Sequence, residues 1–144
     1  MFYIIYVSTA SKPMSESDLE DVLRKSRKNN PAWGLTGLLI YRFSEAENMG
    51  CFIQVLEGEK TKVIEMYERI VGDKRHHSKI IIEQGESDSR QFPDWSMGFK
   101  NVDAQRLTEI PGFANIGQPE FDADFFKNSL RSARETLADF YDAD

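Results

Sequence analysis

Five short runs of β-branched and aromatic residues, separated by only two stretches of helical period, constrain this chain more than any other feature. Residues 2–8, FYIIYVS, read as a buried strand, because such side chains fit a pleated, packed surface. Lys12-Pro13 breaks the run. Ser15 or Ser17 can then cap a helix, with Asp18 or Glu20 three residues on as in a capping box. Leu19, Val22, Leu23 and Ser26 follow on one stripe, and Asn29-Asn30-Pro31 predicts the helix end, because proline drives the preceding residue out of the helical region. Residues 35–43, LTGLLIYRF, and 51–56, CFIQVL, predict an antiparallel hairpin with a polar tip at 44–50. Residues 61–72 carry Val63, Ile64, Met66, Tyr67, Ile70 and Val71 as a second amphipathic helix. KIIIE at 79–83 and WSMGFKNV at 95–102 complete the series, with Trp95, Met97 and Phe99 expected on one face of the last strand. The order βαββαββ is the split βαβ, ferredoxin-like arrangement of an α+β fold, both helices on one sheet face. In that topology the first and third strands are neighbours at the centre.

Residues 103–144 differ in character. Pro111-Gly112 and Pro119 punctuate them, and from Phe121 onward Phe125, Phe126, Leu130, Ala133, Leu137, Phe140 and Tyr141 predict a terminal amphipathic helix. A domain over 1–102 followed by a helical extension over 103–144 is therefore expected. Between Gln118 and Asp144 stand seven acids and three bases.

Several function classes fall away. The chain of 144 residues has one cysteine, Cys51, which excludes an internal disulfide framework and a cysteine metal cluster. Its two histidines, His76 and His77, are adjacent, which argues against a histidine-rich metal site. The net charge of −6 argues against nucleic acid as a partner. No run of 18 apolar residues predicts a membrane span, and the N-terminus lacks the basic region of a signal peptide, so a cytoplasmic location is expected. There is no phosphate-cradling glycine loop and no G-x-S-x-G elbow. The Arg24-Lys25-Arg27-Lys28 cluster suits a solvated helix end or a phosphate contact.

Three positions remain unusual. Gln54 lies inside an apolar strand on the face of Phe52 and Leu56. Burying its amide costs free energy unless its hydrogen bonds are met. It either bridges backbone groups or meets a polar ligand edge. Tyr6, in the first strand, needs a partner for its hydroxyl, either a carbonyl or Gln54 across the sheet centre. Asn30 either only stops the helix or presents its amide between the helices. A tyrosine, a glutamine and an asparagine converging on one cleft suit a planar heterocycle with several hydrogen-bonding edges.

At these residues the sequence resembles a BLUF domain, the blue-light sensor that uses FAD. The resemblance runs from Phe2 to about Phe99 and is carried by YIIYVSTA, DLEDVLRKSRKNN followed by GLTGLLIY, CFIQVLEGE, VIEMYERIVGDKRHH and RQFPDWSMGF, in that order. It implies that Tyr6 is the photoactive electron and proton donor, and that Gln54 is the glutamine whose hydrogen bonds rearrange on illumination. It implies that Asn30 bonds the isoalloxazine edge, with Asn29 and Ser26 at neighbouring flavin-side positions. Arg75 and His76 match the pair approaching the ribityl chain and phosphates, with Arg27 or Lys28 as further cations. Phe52 and Ile70 match apolar walls, and Trp95 and Met97 match the pair that reports the flavin's state outward. The implied cofactor is FAD, with FMN or riboflavin also accepted.

Two departures stand out: a tip at 44–50 longer than usual in the family, and Asn29 at a variable position that is sometimes histidine. With fewer than fifty residues after the fifth strand, the resemblance implies a stand-alone, non-enzymatic short sensor. It would self-assemble into a homo-oligomer and act on a separate signalling protein. The terminal helix is expected to cap the open sheet face. The alternatives are a flavin-free ferredoxin-like binding module, with Tyr6 and Gln54 as core partners, and a flavin-dependent enzyme.

Overall fold

The computed structural model describes residues 1–45, 48–103, 134–135 and 137–138. The elements are β1 (Phe2–Ala10), α1 (Glu16–Trp33), β2 (Thr36–Ser44), β3 (Met49–Gly58), α2 (Lys60–Val71), β4 (His76–Glu86) and β5 (Gly98–Asp103). The five strands form one mixed sheet in the order β4-β1-β3-β2-β5; β5 runs parallel to β2 and the other neighbours are antiparallel. The expected α+β, ferredoxin-like arrangement is therefore the observed one.

All nine residues of β1 are buried, so the central strand is covered on both faces. Alternation along the strands divides the core in two. Phe2, Ile4 and Tyr6 of β1 pack with Phe52 and Leu56 of β3 under Leu19 and Leu23 of α1 and Val63 and Met66 of α2. Tyr3, Ile5 and Val7 point the other way, with Ile53, Val55, Phe92, Leu137 and Ala138. Leu137 and Ala138 thus lie on the sheet face opposite the two helices. The other apolar positions expected in the terminal helix, Phe125, Phe126, Leu130, Ala133, Phe140 and Tyr141, lie outside the described residues.

Several expectations are corrected. α1 does not stop before Pro31 but continues to Trp33, with Pro31 inside its last turn. A proline there removes only its own N–H, and the turn is closed by Gly34, whose N–H meets the Asn30 and Pro31 carbonyls from the left-handed region at φ 68°. Of the two possible caps, Ser15 with Asp18 forms the capping box. β2 and β3 extend toward each other, pairing Ser44 with Met49, so the tip is residues 45–48 rather than 44–50. Positions 44, 49 and 50 of the expected tip are therefore strand. β4 is longer than 79–83 at both ends. β5 begins at Gly98, so Trp95 and Met97 precede the strand and do not follow its alternation. Trp95 packs with the Phe92 side of the sheet, while Met97 packs with the helix side.

Candidate functional site

The pairing of β1 with β3 sets Tyr6 directly opposite Gln54. Both are almost fully buried on the helix face of the sheet. The Tyr6 hydroxyl donates a hydrogen bond to Gln54 Oε1. Burial pushes the Tyr6 pKa far above the usual phenol value, so the hydroxyl keeps its proton. The ring of Tyr67 meets Tyr6 edge-on at 5.4 Å. Gln54 Nε2 donates to the Met97 sulfur at 3.7 Å. A thioether is a weak acceptor, so this buried amide group is poorly satisfied by the protein alone.

Asn30, 2% exposed in the last turn of α1, donates from Nδ2 to the Ser96 carbonyl at 2.6 Å. Beside it, Arg27 Nε donates to the Met97 carbonyl at 3.0 Å. The β4–β5 segment is thus fastened to α1 and to Gln54 at the same point.

A cavity of about 200 Å³ opens between α1 and α2 above these residues. Its lining includes every expected flavin-side residue: Tyr6, Ser26, Asn29, Asn30, Phe52, Gln54, Ile70, Arg75 and His76. Leu39, Leu56, Val22 and Met66 supply further apolar wall. Roughly 300–1,000 Å³ is usual for a whole drug-sized ligand, so this cavity is small for one. The donor set fits a flavin ring: apolar walls for its faces, and at the floor two buried amides for an edge of carbonyls and ring nitrogens.

His76 and Arg75, expected to approach the ribityl chain and phosphates, line the cavity and also make contacts within the protein. The His76 ring is bracketed by Ser8 Oγ at 2.7 Å and the Ile70 carbonyl at 2.9 Å. A carbonyl only accepts, so Nε2 carries the proton and Nδ1 accepts from the serine. Burial lowers the His76 pKa, which keeps the ring neutral. His76 therefore ties β1 to the end of α2 and shapes the wall. Arg75 lines the cavity, but its guanidinium grips Asp73, at 2.5 Å from Nη2 and 2.9 Å from Nε. That contact holds the Asp73 carboxyl below its ordinary range. The cations at the mouth beside Arg75 are Lys25 and Arg69. Arg27 is occupied by the Met97 carbonyl, and neither it nor Lys28 lines the cavity. Lys25 was findable, since residues 22, 25, 26 and 29 share one helix face. Arg69 was findable on the same ground, at helical spacing with Met66 and Ile70, whereas Asp73 lies beyond the end of α2.

Of the two expected reporter residues, only Met97 reaches the site. Trp95 stacks on Phe92, ring centres 5.4 Å apart, on the far side of the sheet.

The family model for sensors of blue light using FAD, BLUF, matches residues 1–98. The photoactivated adenylate cyclase subunit beta of Euglena longa is 30% identical over 95 residues, which are 65% of this chain and 10% of that protein. A bacterial light-regulated adenylyl cyclase structure superposes with a TM-score of 0.62 at 33% identity, covering 71% of this chain and 28% of that one. BlsA in its photo-activated state superposes with a TM-score of 0.66 at 26% identity, covering 99% of this chain and 92% of that one. The chain thus spans about a tenth of the length of the curated relatives it matches.

Proposed function

This chain belongs to the BLUF family, the sensors of blue light using FAD, and from that premise we propose that it is a photoreceptor whose switch is the Tyr6–Gln54 pair. The cofactor is FAD, and FMN and riboflavin, which share its ring, are accepted in its place. When bound, the flavin ring supplies the blue-light absorption and an excited state that accepts an electron.

The observation carrying this reading is the buried chain Tyr6–Gln54–Met97 along the cavity floor. Tyr6 is the oxidisable group, and its hydroxyl already donates its hydrogen bond to Gln54 Oε1. Gln54 can donate from Nε2 and accept at Oε1, so a half-turn of its amide exchanges the two. After the half-turn, an oxygen faces the Met97 sulfur. Neither atom can donate, so that contact fails. The half-turn is thereby felt at Met97, whose carbonyl and neighbour Ser96 are held by Arg27 and Asn30. Lys25, Arg69 and Arg75 favour an anionic tail at the mouth. Nothing in this scheme turns over a substrate.

The output passes from Met97 to the extension over 103–144. A separate signalling protein in the cytoplasm receives it, with the sensor working as a homo-oligomer. Among the described residues no helix is long and apolar enough to cross a membrane. The absorption spectrum of the purified protein before and after blue light tests the reading. Flavin bands that shift reversibly to the red support it. A colourless protein that FAD cannot reconstitute overturns it in favour of a flavin-free module, and steady flavin reduction by an added donor overturns it in favour of an enzyme.

A further inference from the structure

Residues 87–97, between β4 and β5, are held from both faces of the sheet. On the cavity side Gln54, Asn30 and Arg27 hold Ser96 and Met97. On the other side stands Glu57, three residues after Gln54 in β3 and therefore on the opposite face. Glu57 is fully buried. Its Oε1 accepts from the Phe92 N–H at 2.7 Å and the Thr36 hydroxyl at 3.0 Å, and its Oε2 from the Gln91 N–H at 2.9 Å. Arg134 Nη1 lies 3.7 Å from the same Oε2.

Arg134 is itself buried, and its other contacts run to the same segment. Nη2 donates to Ser87 Oγ at 2.8 Å and Nη1 to the Ser89 carbonyl at 3.4 Å. Its guanidinium carbon sits 4.3 Å over the Tyr3 ring. The segment between is stiffened by the Phe92–Trp95 stack and by the Trp95 carbonyl accepting from the Gly37 N–H at 3.1 Å.

We propose that Glu57 is a positioning residue of the switch: its buried carboxylate couples the segment that carries Met97 to Arg134. A change at Gln54 is thereby passed through the sheet to the C-terminal extension. This rests on the Tyr6–Gln54 reading above. A carboxylate suits the task because all four groups around it are donors, two of them backbone N–H groups of the moving segment. When those two N–H groups shift, the buried charge must follow them or lose its bonds, and Arg134 is the counter-charge paired with it among the described residues. Glutamine has the same shape, but it places an NH2 against one set of donors and removes the charge that Arg134 answers.

Hydrogen–deuterium exchange of the whole flavin-loaded protein, in darkness and under blue light, tests this, with absorption recorded on the same samples. In the wild type, light is expected to change exchange in peptides covering 87–97 and 134–138. In Glu57→Gln the absorption shift and the 87–97 response are expected to remain, and the light response at 134–138 to be lost. Arg134→Gln carries the same expectation should Glu57→Gln fail to fold, and Arg134→Lys, which keeps the charge, should restore some of the response. A 134–138 response in the variants equal to that of the wild type overturns the proposal. So does loss of the absorption shift in Arg134→Gln, which would assign this network to the cavity. A wild type that shifts normally but shows no response at 134–138 overturns the coupling and leaves the sensor reading intact. A wild type that binds flavin without any shift overturns the sensor reading itself.

Discussion

The Tyr6 hydroxyl is useful because burial keeps it protonated and the register of two central strands aims it at one amide. Asn30 is the anchor beside it. Asn30→Ala removes its bond to the Ser96 carbonyl and one edge of the cavity floor. Flavin affinity should fall by about 1–2 kcal/mol, roughly 5- to 30-fold in Kd, in a fluorescence titration. An unchanged Kd would remove Asn30 from the site. His76 makes a pH prediction. Its folded pKa is lowered by burial, so below about pH 6.5 the unfolded chain binds the proton more readily. Stability must then fall as pH drops from about 6.5 toward 5. Asp73, whose carboxyl is held low by Arg75, acts only below about pH 4. Urea midpoints should show the decline between pH 6.5 and 5 in the wild type, and His76→Asn should flatten it. At this scale Tyr6 and Gln54 were legible because a polar group in an apolar run demands a partner, whereas Asn30, in the polar run Lys28-Asn29-Asn30-Pro31, stood out only as a helix stop or an amide between the helices. The bracketing of His76 was not, because it depends on Ser8 and Ile70 in other elements. Nor was the pairing of Arg75 with Asp73, a local turn in which Asp73 Oδ1 also accepts the Arg75 N–H at 2.9 Å.

Elements place these residues, and two small features set how well. The Ser15–Asp18 capping box fixes the start of α1, whose far end carries Ser26, Asn29 and Asn30. Ser15→Ala should cost about 1 kcal/mol in denaturant unfolding and leave the cavity intact. Gly37 in β2 lies so close to β3 that a Cβ would run into the Val55 carbonyl. Gly37→Ala must therefore push the two strands apart at the level of Met97, with a loss of about 2–4 kcal/mol and a weakened light response in the same protein. The succession of strands and helices and the helix faces followed from hydrophobic period, and the neighbouring of β1 and β3 from the topology that succession implies. The ends did not: Pro31 reads as a stop, yet the Gly34 cap and the Asn30–Ser96 bond hold the last turn closed. The alternation of Trp95, Met97 and Phe99 mimics a strand, but residues 95–97 lie in an irregular turn that sends the first two to opposite faces.

At the scale of the molecule, the central strands of the sheet, buried on both faces, separate a cavity of about 200 Å³ from a second core. Leu137, fully buried in that core, is held by packing with Phe92 and the far side of β1. Leu137→Ala should lower stability by about 2–4 kcal/mol in urea unfolding while leaving the flavin spectrum unchanged. A changed spectrum would mean that the two cores are not independent in the dark. The helix side of the core followed from strand and helix periods, and the opposite side was expected to lie under the terminal helix that holds Leu137; the part played by Phe92, in the irregular stretch before β5, was not legible. The central claim is that the Tyr6–Gln54 pair is the switch of this sensor. The light-minus-dark absorption spectrum of Tyr6→Phe, measured beside the wild type at equal flavin loading, tests it most directly. Tyr6→Phe should bind flavin and show no red shift; a shift of wild-type size and reversibility would contradict the account.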